Sequence, residues 1–140
     1  MKRINYLLMA ATALVIASCN LAGGDEYANI ATEMCECVNK SSNALSPEFK
    51  DAIIMADGDL NKFQTSALEL QRKNPEKFQK ELQEIMQSET CMNNIELKYQ
   101  DLYTREKKEV VQDNLLNAMK ENGDCKFTYS LIKIVLSAQK

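Results

Sequence analysis

The chain has 140 residues and a formal charge of −3, with no histidine, no tryptophan and only two prolines. The missing histidine removes the commonest general base and metal ligand, and with it a Ser-His-Asp triad or His-ligated zinc or haem. The acidic balance argues against nucleic acid, which asks for a basic face, and no G-x-G-x-x-G or P-loop pattern is present to cradle phosphate.

Met1, Lys2 and Arg3 form a short positive start, and an apolar run follows from about Tyr6 to Ala17. The run is too short to span a bilayer, which takes about 20 helical residues. A charged start, an apolar stretch and small residues before a cut read as an export signal. The run ends at Ile16-Ala17-Ser18-Cys19, with Asn20 next. This end resembles the lipobox of bacterial lipoproteins. The resemblance implies that residues 1–18 are a removed signal peptide. Cys19 then carries a diacylglyceryl group on its sulfur and an acyl group on its new amine. Two or more acyl chains hold a protein at a membrane where one holds it only marginally. The implied address is the bacterial cell envelope. Asn20 in place of the aspartate linked to inner-membrane retention favours the outer membrane. The plain alternative is an ordinary secretory signal with an incidental cysteine. Losing Lys2 and Arg3 would move the charge from −3 to −5.

Residues 19–26 read as a short tether with Gly23-Gly24 at its flexible centre, which leaves 27–140 as a single α-helical domain. At about 3.5 Å per extended residue, such a leash keeps the domain close to the lipid surface.

The domain is helical in pattern nearly throughout. Tyr27, Ile30, Ala31, Met34 and Val38 make the i, i+3, i+4, i+7 stripe of an amphipathic helix. Asp25 is placed to cap it, and Ser41-Ser42-Asn43 to close it. Ser46-Pro47 is a second start, with Ser as N-cap and Pro at the first helical position. Phe49, Ala52, Ile53 and Ala56 form its face. Asp57-Gly58-Asp59 breaks or bends the chain, and Leu60, Phe63, Ala67 and Leu70 resume the stripe. Asn74-Pro75 opens a further helix through Phe78, Leu82, Ile85 and Met86. Near Ser88 to Thr90 the phase changes, either at a break or in one bent helix. Cys91, Met92, Ile95, Tyr99 and Leu102 follow in the new phase. Arg105 to Glu109 is charged and solvated. Val111, Leu115, Ala118 and Met119 lead to a stop at Asn122-Gly123. Cys125 to Leu131 alternates as a strand would, yet Phe127, Leu131, Ile134, Val135 and Ala138 also suit a helix. With no partner strand in sight and Asp124 available as N-cap, the segment is read as a helix.

Four cysteines follow Cys19: Cys35, Cys37, Cys91 and Cys125. An even number in an exported chain suggests a disulfide framework. At about 100° per residue, Cys35 and Cys37 point about 160° apart on the first helix and cannot join each other. Each is therefore expected to bond to one of Cys91 or Cys125, with the choice open. The fold expected is an all-α small helical bundle stapled by two disulfides. Two sharper readings compete. Met34-Cys35-Glu36-Cys37 with Cys91-Met92 offers the soft ligands that select Cu(I), although helical Cys35 and Cys37 diverge. A redox-active pair would ordinarily be C-x-x-C beside a βαβ pattern, and neither is present.

Other clusters have plainer accounts. Tyr99 and Tyr103, one turn apart near Lys98 and Arg105, could form a binding patch, but read better as a half-buried helix face. Asp57, Asp59 and Glu69 hint at calcium without the calcium-loop spacing, so Asp57 and Asp59 are read as helix caps. Glu81, Glu84 and Glu89 read as a solvated face. No catalytic residue, metal site or cofactor is nominated. The expectation is a non-catalytic interaction or accessory protein held at a membrane through Cys19, with a protein partner and no nucleic acid. The alternatives are an inhibitor or immunity-type protein against a secreted toxin or enzyme, and a carrier of a small ligand or Cu(I).

Overall fold

The computed structural model describes residues 26–139. The expected signal peptide, Cys19 and the tether up to residue 25 lie outside the described residues. Glu26, placed at the end of the tether by the sequence reading, instead belongs to the first helix.

That helix, α1, runs over 26–42. Then come α2 (Pro47–Ala56), α3 (Leu60–Lys73), α4 (Pro75–Met86), α5 (Ser88–Lys98), α6 (Gln100–Arg105) and α7 (Lys108–Glu121). A 3-10 turn, Gly123–Cys125, leads into α8 (Lys126–Ser137). The described residues contain no strand, so the ambiguous last segment is helical. No helix among them is long and apolar enough to cross a membrane.

The whole expected stripe of α1 is buried, and so are Cys35 and Cys37 on its flanks. The helix therefore passes between two apolar clusters. One joins Tyr27, Ile30 and Met34 to Ile95, Leu102, Val111, Leu115 and Met119 from α5, α6 and α7. The other joins Val38 to Leu45, Phe49, Ile53, Phe78, Phe127 and Ile134 from the α1–α2 loop, α2, α4 and α8. Phe49 and Phe78 meet there with ring centroids 5.8 Å apart. α3 contributes only partly buried residues, Leu60, Phe63, Ala67 and Leu70, and covers the second cluster from outside.

The pairing left open by the sequence is resolved. Cys35 is bonded to Cys125, with Cα atoms 5.2 Å apart, and Cys37 to Cys91, with Cα atoms 6.0 Å apart. The bridges enclose sequence separations of 90 and 54 residues. They tie α1 to the start of α8 on one side and to α5 on the other.

Helix ends follow the expected chemistry in part. Asp59 accepts from the backbone N–H groups of Asn61 and Lys62, and Asn74 from that of Lys77. Asp57 instead ends α2 in the left-handed region at φ 45°, followed by Gly58 at φ 85°. A Cβ on Gly58 would lie 2.7 Å from the Lys133 side chain, so that turn needs a glycine for both conformation and space. Asp57 Oδ1 is also 3.1 Å from Lys133 Nζ, which ties the turn to α8. Ser46 holds the N-cap position of α2, but its hydroxyl makes no cap bond. Glu81 takes over from α4, accepting from the Ser46 backbone N–H at 2.7 Å. That contact corrects the solvated-face reading of Glu81, which is buried. Met86 is exposed rather than part of its stripe. Asp124 does not cap α8: it sits inside the 3-10 turn, whose N-cap Asn122 accepts from the Asp124 N–H.

Replacing Cys35 and Cys125 together by serine should lower the unfolding free energy by about 3–4 kcal/mol, because a long loop is freed in the unfolded chain. Urea unfolding of the oxidised proteins measures this. Thr128 is fully buried and its hydroxyl makes no hydrogen bond. Thr128→Val removes that unmatched group at nearly constant shape and should raise stability by about 1 kcal/mol in the same assay.

Candidate functional site

Two features converge on the wall formed by α5 and α6: a polar clamp to α1 on one side and an apolar trough on the other. In the clamp, Glu33 of α1 accepts from Tyr99 Oη at 2.8 Å and from Lys98 Nζ at 2.5 Å. At the far end of α6, Tyr27 Oη donates to Glu106 at 2.6 Å. Arg105 lies 3.3 Å from Glu26. The Lys98 and Tyr99 hydrogen bonds hold the Glu33 carboxyl below its ordinary 4.5. Burial holds the Tyr27 phenol above 10.0, with Asn114 pulling the other way and Glu106 adding to the rise.

The trough has a volume of about 890 Å³. One wall is Asn93, Glu96 and Leu97 of α5, with Gln100, Tyr103 and Thr104 of α6. The other is Lys108, Gln112, Leu115, Leu116 and Met119 of α7, with Ile132 and Leu136 of α8. Met34 and Met92 complete the lining. The i, i+4, i+7, i+8, i+11 spacing along α7 puts its five residues on one face. Burial, followed by the negative charge of Glu96, raises the Tyr103 phenol above its ordinary 10.0. The lining is mostly apolar with a few polar groups at the rim, which is the make-up of small-molecule clefts.

The structure brings together only part of what the sequence singled out. Tyr99 and Tyr103 share the α5–α6 wall but face different features: Tyr99 serves the clamp and Tyr103 lines the trough. The three cysteines of the copper reading, Cys35, Cys37 and Cys91, are engaged in disulfides, which leaves them no thiolate to bind soft metal. Asp57, Asp59 and Glu69 form no shared site; no group of three or more histidine, cysteine or acidic side chains among the described residues is placed to hold a metal ion. The trough itself was missed. Its signal was present in Leu97 and Leu116, apolar residues that fall off the assigned stripes.

No protein-family model, curated protein or solved structure matches this chain.

The clamp gives the fold a defined response to acid. The folded-state value of Glu33 is depressed, so the unfolded chain binds the proton more readily. The clamp's contribution is complete above pH 4.5 and is lost as pH falls through the lower folded value. Glu33→Gln should therefore lower the urea midpoint at neutral pH. Its deficit against the parent should shrink steadily below pH 4.5 and with added salt, since the pair is near solvent. Paired urea titrations across pH measure both trends.

Proposed function

We propose that this protein is a lipid-anchored component of the bacterial cell envelope with a non-catalytic, interaction or accessory role. The observation that carries the reading is Ile16-Ala17-Ser18-Cys19 at the end of a charged-then-apolar leader. Pairing of all four remaining cysteines supports it, because disulfides persist in oxidising, exported compartments. In this reading Cys19 bears the lipid, residues 1–18 are removed, and a protein partner is met at the membrane surface. Asn20 favours the outer membrane.

A second reading, carriage of a small ligand, is favoured by the apolar trough between α5–α6 and α7–α8.

The anchor is tested by the intact mass of protein purified from its native membrane without reductant, then after reduction and alkylation. The expected result is a chain beginning at Cys19 with added lipid mass and four cysteines that alkylate only after reduction. Cys19→Ser should abolish the added mass and release the protein from membranes. A native chain that begins elsewhere, or carries no lipid, overturns the anchor reading. Four thiols that alkylate without reduction overturn the oxidised-compartment support.

A further inference from the structure

The trough has a particular shape, chemistry and location. Along α7 it extends from Lys108 to Met119, about 16 Å at about 1.5 Å per helical residue. Its volume of about 890 Å³ falls within the range of roughly 300–1,000 Å³ typical of small-molecule clefts. Met34, Met92 and Met119 line it, and methionine is the side chain that best adapts to a flexible apolar guest. Charge at its rim is limited to Glu96 and Lys108. Of the neighbouring cations, Lys98 and Arg105 are paired with Glu33 and Glu26, and Lys107 is not among the lining residues. Lys108 makes no ion pair among the described residues. One anion-seeking group thus stands at the α6–α7 end of a mostly apolar trough.

The described residues begin at the same end. Glu26, the first described residue, is held by Arg105, the neighbour of the trough-lining Thr104. Six residues lie between Cys19 and Glu26, a reach of at most about 25 Å when extended. If Cys19 carries the anchor, the Lys108 end opens close to the lipid surface, where single-chain amphiphiles partition.

We propose that the trough binds one long-chain fatty acid, with its carboxylate at Lys108 and its tail among Met34, Met92 and Met119. The inference rests on the carrier reading and gives it a ligand class; binding itself does not require the anchor. The tail is recognised by burial, which should tighten binding about fourfold for each methylene seated (about 0.8 kcal/mol). The head is recognised by a single exposed cation, worth about fivefold or less.

The test uses the full chain carrying Cys19→Ser, oxidised and free of detergent, titrated with the fluorescent probe dansyl-undecanoic acid. Saturable binding of one equivalent is expected, with displacement by decanoate, dodecanoate and tetradecanoate in steps of about 15-fold per two methylenes. Leu97→Glu, at a rim position 67% exposed, and Leu116→Glu should each weaken binding at least about tenfold. Circular dichroism and melting of the Leu97 variant should be unchanged. Lys108→Glu should weaken tetradecanoate about fivefold and leave tetradecanol unaffected. Absence of saturable binding overturns the proposal. So does binding that Leu97→Glu and Leu116→Glu leave intact, which would put the probe elsewhere. Should native lipidated protein in phosphatidylethanolamine–phosphatidylglycerol vesicles refuse the probe while the Cys19→Ser chain accepts it, the trough holds the protein's own anchor, and the free fatty acid is overturned as its occupant. The mass measurement on Cys19 stands apart from all of these, so failure of the anchor and failure of the ligand are told apart.

Discussion

Cys35 and Cys37 leave one helix about 160° apart, and the two bonds they make fix almost every other part of the fold. Because one goes to Cys125 and the other to Cys91, α1 cannot lie on the surface with one face turned inward. It must run between its partners, and its burial on both flanks follows. The two apolar clusters then form on either side of a shared helix. This arrangement lets weak elements persist. α6 has six residues, too few to be stable alone in water. It stays helical because Leu102 enters the first cluster, and because Tyr27 and Glu26 of α1 bind the residues at its end.

How much of this could be read in advance depended on how local the cause was. Hydrophobic period marks the helical stretches, with α5 and α6 merged into one, and Pro47 and Pro75 sit at the helix starts their dipeptides announce. The divergence of Cys35 and Cys37 excluded a bond between them on angle alone. The failures share a cause of the opposite kind. Glu81 is buried because a backbone N–H 35 residues away needs an acceptor, and no rule confined to i±4 neighbours sees that need. The apolar stripe from Cys91 to Leu102 runs straight through Tyr99, where the structure breaks the helix. There the backbone turns to φ −109° and ψ 23° while Tyr99 reaches Glu33 on another helix. Asp124 is a residue type suited to a cap, but it lies inside the 3-10 turn, where its own N–H donates to Asn122.

The trough is a product of the same non-local geometry. The change of direction at Tyr99 lets α6 pack on α7 while α5 packs on α4, and the space between the diverging walls is left to be lined rather than filled. Ordinarily such a gap in a small helical protein would close, because exposed apolar lining and lost contacts both cost free energy. Here the wall is tied at both ends. Cys91, one residue before the trough-lining Met92, is bonded to α1, and Lys98 and Tyr99 at the other end of α5 are bound to Glu33 of α1.

A wall restrained at two points on the same central helix has little freedom to collapse inward or swing away. This is preorganisation in a physical sense: the ordering that a guest would otherwise have to impose is already done when the disulfides form and the clamp closes. The two restraints differ in kind. The Cys37–Cys91 bond is covalent and indifferent to salt or mild acid, whereas the Glu33 clamp depends on charge and faces solvent. The methionine end of the trough is therefore the fixed end. The Lys108 end, next to the clamped α6, is the one whose shape can respond to salt and acid. A guest with an apolar tail and a charged head makes the matching division of demands: its tail needs a constant apolar lining, and its head needs an opening that yields.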